Sequence, residues 1–316
     1  MKNTFLLLLT VLCVMSVNAA NKYDNPDTLF VARDGTGEFR TIEDAVEVCR
    51  AFMEYHKVIY VKKGVYKEKL IIPSWLTNIE ICGEDVEKTI ITYDDHANIR
   101  LETTGKPMGT FRTYTVKVEG SNITFTNITI ENNAARLGQA VALHTEGNHL
   151  IFRRCRLLGN QDTIYTGVGN TKVFFDNCYI EGTTDFIFGP STAWFENCTI
   201  HSKTNSYVTA ASTPADVEYG YVFNKCKLTA DEGVDKVFLG RPWRPYAYTL
   251  FMNCELGAHI VPVGWHNWGK ASNEQTARYA EYNNNGPGAA SDKRAFWSKQ
   301  LTKKQAAAIT FKTVMW

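Results

Sequence analysis

Read for its apolar positions alone, the chain repeats one short pattern: a Phe, two intervening residues, a Cys or Ile, one more residue, then an Ile or Leu. It occurs at Phe125/Ile128/Ile130, Phe152/Cys155/Leu157, Phe175/Cys178/Ile180, Phe195/Cys198/Ile200, Phe223/Cys226/Leu228 and Phe251/Cys254/Leu256. A weaker copy is Leu76/Ile79/Ile81. Successive Phe positions lie 27, 23, 20, 28 and 28 residues apart. A β-rich stretch recurring at that interval predicts a solenoid, each repeat being one coil of a parallel β-helix.

Spacing within a copy predicts a corner. Inward residues of a strand recur at every second position. Cys178 to Ile180 obeys this, whereas Phe175 to Cys178 is an odd step. The residue just before the Cys/Ile position is Asn127, Arg154, Asn177, Asn197, Lys225 or Asn253, so Asn fills it in four of six copies. Asn enters the left-handed backbone region readily, which places the corner there. Stacked coils then give an Asn ladder beside a buried Cys/Ile column. The expected fold class is all-β, a single-stranded right-handed parallel β-helix.

The ends read as caps. Thr41-Ile42-Glu43-Asp44 resembles a helix start, and Ile42, Ala45, Val46, Cys49, Phe52 and Met53 follow as one helical face. This predicts a short N-terminal capping helix. Thr302 with Gln305 predicts a second helix through Ala306 to Ala308, and residues 256–296, rich in Gly, Asn and Trp, read as long loops lying on the coils.

Composition narrows the function. The chain has 316 residues, 44% of them hydrophobic, with no low-complexity tract, so one ordered domain with a large core is expected. A net charge of +1 offers no global field for nucleic acid or an anionic membrane. Lys2, the apolar run Phe5 to Val17 and the small residues at Ala19-Ala20 read as a signal peptide over 1–20, ahead of a catalytic domain over 21–316. No second apolar run of spanning length follows, so a soluble, secreted or periplasmic protein is expected. Seven cysteines remain after residue 20. Export invites disulfides, but Cys155, Cys178, Cys198, Cys226 and Cys254 occupy the inward column, where free cysteine serves as a small apolar residue.

Candidate chemistry follows from using the repeat as a ruler. There is no G-x-S-x-G elbow, no H-E-x-x-H and no nucleotide-binding glycine motif. Asp162 stands seven residues after Cys155, and Asp185 seven after Cys178. Equal offsets on consecutive coils put the two carboxylates about 4.8 Å apart in backbone spacing. Carboxylates that close split their pKa values, giving one acid and one base or nucleophile at neutral pH. Gln161 precedes Asp162. Tyr165, Phe186 and Phe188 lie beside the acids, and the segment LGRPW at 239–243 adds Arg241, a bidentate partner for a carboxylate, and Trp243, a stacking surface.

At these motifs the chain resembles the pectin methylesterase family, from about Leu29 to the C-terminus. The matching segments are GVYKEKL at 64–70, QAVAL at 139–143, NQDTIY at 160–165, DFIFG at 185–189 and LGRPW at 239–243, with GWHNW at 264–268 similar as well. The resemblance implies that Asp185 is the nucleophile on the methyl-ester carbonyl and that Asp162 is the general acid, then base. It implies Gln139 and Gln161 as oxyanion donors, Arg241 as the group that orients Asp185, and Tyr165, Phe188 and Trp243 as subsite residues. It further implies a substrate of methyl-esterified homogalacturonan. No cofactor is expected, and no metal either, since ligand spacing such as C-x-x-C is absent. A capped solenoid needs no partner and is expected to be a monomer, and no inhibitor-like pro-domain is expected ahead of the catalytic part. Two departures stand out: Asn160 replaces an aromatic residue of the plant members, and GTFRTYT at 109–115 replaces a version with smaller residues.

Two rivals use the same residues differently. A glycosidase or lyase on this fold would cleave the chain, and close carboxylates suit a retaining glycosidase. Against it, paired glutamines suit a carbonyl oxyanion, and neither a G-H-G motif nor an acid cluster for calcium is found. A binding solenoid without activity would lack an acid or the arginine, and none is lacking.

Overall fold

The computed structural model describes residues 23–24 and 27–315. The leader read at 1–20 lies outside these residues. The described chain winds into a parallel β-helix with three sheets of 11, 8 and 7 strands. Each coil gives one strand to each sheet in turn. Leu150–Arg153 enters the first sheet, Arg156–Leu158 the second and Ile164–Thr166 the third; Lys172–Asp176 then begins the next coil. The right-handed winding follows the hand of parallel crossover connections generally and is the one expected.

The repeat read from the sequence is the core. Phe125, Phe152, Phe175, Phe195, Phe223 and Phe251 are in register on neighbouring strands. Their rings stack with centroids 5.3, 5.1, 4.7, 4.3 and 4.3 Å apart. Each ring is fully buried, which is worth about 1.5–3 kcal/mol. The predicted corner is present: Asn127, Arg154, Asn177, Asn197, Lys225 and Asn253 all have φ between 51° and 56°. The seven described cysteines are free. At the corner, Cys155, Cys178, Cys198, Cys226 and Cys254 each donate their thiol to the Phe carbonyl of the previous coil, at 3.2–3.5 Å. A thiol there satisfies a carbonyl that Ile could not.

Several expectations need correction. Ile81, not Leu76, pairs with Phe125. Strand Thr77–Gly83 alternates in burial, and its positive-φ residue, Asn78 at 60°, stands at the strand's start rather than at the exit corner that follows the Phe copies, so the weak copy marks a different point of the coil. The Asn ladder is broken: Asn283 donates to Asn253 at 2.9 Å and Arg154 to Asn127 at 2.9 Å, but Asn177 turns to Asp176. What recurs is the backbone conformation. The N-terminal helix spans only Ile42–Glu47, capped by Thr41, and Phe52 is 75% exposed, off its face. Within 256–296, Arg278–Tyr282 is a strand that extends the first sheet. Glu281 takes the Phe column position beside Phe251 and is buried against Arg294 at 2.8 Å. Helix Lys303–Ala308 forms as expected, with a Thr302/Gln305 capping box.

Candidate active site

Two short turns between the second and third sheets carry the aspartates. Each opens on a glycine whose missing Cβ makes room for the residue after the acid. A Cβ on Gly159 would lie 2.6 Å from the Thr163 hydroxyl, and one on Gly182 would lie 2.2 Å from the Phe186 Cβ. Asp162 and Asp185 themselves hold φ of 69° and 49°, a region costly for most residues but tolerated by Asp. The conformation is locked by neighbours: the Asp162 amide donates to Thr184 O at 3.1 Å, and the Asp185 amide to Tyr207 O at 2.8 Å. The adjoining pairs Ile164–Ile187 and Tyr165–Phe188 keep the turns in register.

The result is a cleft of about 340 Å³ lined by Gln139, Gln161, Asp162, Asp185, Arg241 and Trp243, among others. Asp162 and Asp185 are only 8% and 6% exposed, so their environments decide their charge. Arg241 grips Asp185 bidentately, Nε to Oδ1 at 2.9 Å and Nη2 to Oδ2 at 2.6 Å. Asp162 forms no ion pair among the described residues. Burial, and then the Asp185 charge, push the Asp162 carboxyl well above the usual carboxylate range. Burial also raises Asp185, but its hydrogen bonds and charge interaction with Arg241 oppose the rise. One proton at this pair therefore sits preferentially on Asp162.

Arg241 is itself held. Its guanidinium lies 3.9 Å from the Tyr207 ring centroid and 3.8 Å from that of Trp268. Both contacts were missed from sequence, although Trp268 belongs to the GWHNW segment. His266 Nδ1 accepts from the Trp268 amide at 3.0 Å, supporting that wall. The third sheet supplies Tyr165 and Phe188, stacked at 4.7 Å; Phe111, from the 3-10 turn Thr110–Arg112, packs tilted on Tyr165 at 4.8 Å, and Trp243 meets Phe188 edge-on at 5.8 Å.

The other sequence candidates separate. Phe188 and Trp243 line the cleft, with Thr110, Phe111, Ala210 and Trp268 beside them. Tyr165 is not in that lining; it packs between Phe111, Phe188 and His144. Phe186, one of the aromatics beside the acids, is fully buried core, because it faces the glycine gap at Gly182. Asn160 spends its amide on the Ala134 carbonyl at 3.0 Å rather than on the cleft. Tyr114, in the divergent 109–115 stretch, packs with Phe188 and Tyr165 in a small apolar cluster.

A parallel β-helix with a carboxylate centre in an aromatic-walled cleft has the architecture of a carbohydrate-active enzyme. A family model described as Pectinesterase matches residues 28–315. Pectinesterase 31 of Arabidopsis thaliana is 37% identical over 281 residues, covering 87% of this chain and 88% of that one. Pectin methylesterase from carrot superposes with a TM-score of 0.84 at 32% identity, covering 92% and 93% of the two chains. A pectin methylesterase in complex with a hexasaccharide gives a TM-score of 0.80 at 28% identity, covering 91% and 96%. The probable pectinesterase/pectinesterase inhibitor of Brassica napus is spanned over 50% of its length. The chain belongs to the pectinesterase family: it is a carboxylic ester hydrolase that removes methyl esters from pectin.

Proposed function

We propose that the chain hydrolyses the methyl esters of homogalacturonan with Asp185 as nucleophile and Asp162 as the proton carrier. The observation that carries this is the asymmetry of the pair: one carboxylate is clamped by a guanidinium and the other is not. The ionised Asp185 attacks the ester carbonyl. The carbonyl electrons move to its oxygen, and the side-chain amides of Gln139 and Gln161 donate to that oxyanion. Collapse breaks the bond to methoxide, which takes the Asp162 proton and leaves as methanol. The remaining acyl–Asp185 anhydride is opened by a water that gives its proton to Asp162, restoring both acids and freeing the galacturonate.

Trp243 and Phe188 give the sugar rings flat apolar faces, and the hexasaccharide held by the related enzyme supports a polymeric substrate. The active species is inferred to be a monomer exported under the 1–20 leader and folded over 21–316. No described helix is long and apolar enough to cross a membrane.

The test is incubation with methylated pectin, measuring methanol and chain length together. Methanol without shortening is expected. Shorter chains or unsaturated ends without methanol would replace the esterase by a glycosidase or lyase.

A further inference from the structure

The two aspartate turns are short, and the coil before them is connected differently. Ten residues separate its strand Thr129–Asn132 in the second sheet from Leu143–Thr145 in the third. Five separate Leu158 from Ile164, and four separate Gly182 from Ile187. Gln139 lies in the long connection, outside any strand. Asn132 stands four residues after Ile128, as Gly159 does after Cys155 and Gly182 after Cys178. It therefore takes the place where both aspartate turns carry a glycine.

The Asn132 side chain is 2% exposed and ties down what the strands leave open. Its Nδ2 donates to Val141 O at 3.1 Å, Thr113 O at 3.0 Å and Asp95 O at 3.0 Å, while its Oδ1 accepts from the Ala134 amide at 3.0 Å. The orientation of the amide is forced, because a carbonyl cannot donate and a backbone N–H cannot accept. Three segments are joined: the long connection, the end of the turn Thr110–Arg112 that carries Phe111, and the residues leading to Ala97.

Two of these ties lead to Gln139. Val141, two residues on, is held by its carbonyl to Asn132 and by its amide to Thr113 Oγ1 at 2.9 Å, and that hydroxyl donates to Thr110 O at 2.7 Å. The Val141 side chain packs with Phe188 and Ala210 at the cleft. From the other side, the Ala97 amide donates to Gln139 O at 2.8 Å, two residues beyond Asp95. The Ala140 amide donates to Gln161 O at 3.0 Å, linking the two glutamine segments. An oxyanion donor lowers a barrier only if it is fixed before charge develops.

We propose that Asn132 is the positioning residue for Gln139, holding the long connection so that the Gln139 amide already faces the place of the oxyanion. This rests on the reading of Gln139 as an oxyanion donor. Asn132 is not part of the cleft lining and acts through Gln139 alone.

The test is methanol release in a mutant cycle. Asn132→Ala should lower kcat about tenfold and leave KM within about twofold. On a Gln139→Ala background the same change should cost less than about twofold, because the donor it serves is gone; on a Gln161→Ala background the full loss should return. Thr113→Val, which removes the hydroxyl that holds the Val141 amide, should show the same pattern and decides the matter should Asn132→Ala not fold. Equal losses on every background overturn the proposal, as does a parent-like kcat in both Asn132→Ala and Thr113→Val. If Gln139→Ala keeps the parent kcat, the oxyanion reading falls instead. Nitrogen-15 relaxation of the Gln139 side-chain amide then still judges the tie: it should be rigid in the parent and mobile in Asn132→Ala, and equal mobility in the two overturns it.

Discussion

The turns that carry Asp162 and Asp185 are near copies of each other. Both open on a glycine, both put the acid at positive φ, and both hang the acid's amide on the coil that follows. They differ in what arrives from elsewhere in the chain. Arg241 reaches Asp185 with two hydrogen bonds. It reaches Asp162 only as a more distant charge that counts less than burial and the neighbouring acid. A duplicated backbone motif thus becomes a chemical pair because a single side chain, itself gripped between Tyr207 and Trp268, chooses one member.

Removing either acid breaks the comparison, and unequally. Asp185→Asn should lower kcat for methanol release by at least about 1,000-fold, since no covalent route remains. Asp162→Asn should cost about 100- to 10,000-fold, with the larger loss on esters of poor leaving groups, because only proton transfer is lost. Activated aryl esters, which need no protonation on departure, separate the two: Asp162→Asn should recover acyl transfer with them and Asp185→Asn should not. Next in size, Gln139→Ala and Gln161→Ala should each lower kcat by about 100-fold with little change in KM, as expected of donors to a charge that exists only in the transition state.

The smallest effect is on stability and has opposite signs for the two acids. Asp185→Asn leaves the Arg241 guanidinium without its counter-charge, and thermal unfolding should show a loss of about 1–3 kcal/mol at pH 7. Asp162→Asn removes a carboxyl whose folded pKa is raised above its ordinary 3.8. The contribution of such a group is complete below its unfolded pKa and is lost as pH rises through the folded one. The variant should therefore equal or exceed the parent in stability at pH 7, and its advantage should grow with pH.

How much was legible follows from how repetitive each feature is. The Phe and Cys columns could be read because every coil must fill the same place in one core. The strand Arg278–Tyr282 could not, because Glu281 and Asn284 stand where Phe and Cys stood. Asn284 repeats the thiol's role in polar form, donating to Phe251 O at 3.1 Å. The aspartate pair, Gln139, Gln161, Arg241, Phe188 and Trp243 could be named because motifs and the coil ruler point to them, and all seven meet in one cleft. The cradle of Tyr207 and Trp268 around Arg241 was hidden: it joins three segments of unrelated pattern, and only the folded path brings them within 4 Å. Phe186 misled for the converse reason: it precedes the strand Ile187–Gly189, and the turn sends it into the core while Phe188 faces the cleft side.

The central claim is that a single proton resides on Asp162, leaving Asp185 ionised, at neutral pH. Infrared spectroscopy of protein labelled with carbon-13 at its aspartate carboxyls reads this directly, through the carbonyl band of a protonated acid in difference spectra against Asp162→Asn and Asp185→Asn. The account predicts a protonated carboxyl at pH 7 that disappears in Asp162→Asn and persists in Asp185→Asn. A band that disappears only in Asp185→Asn, or no protonated carboxyl at all in the parent, would contradict it.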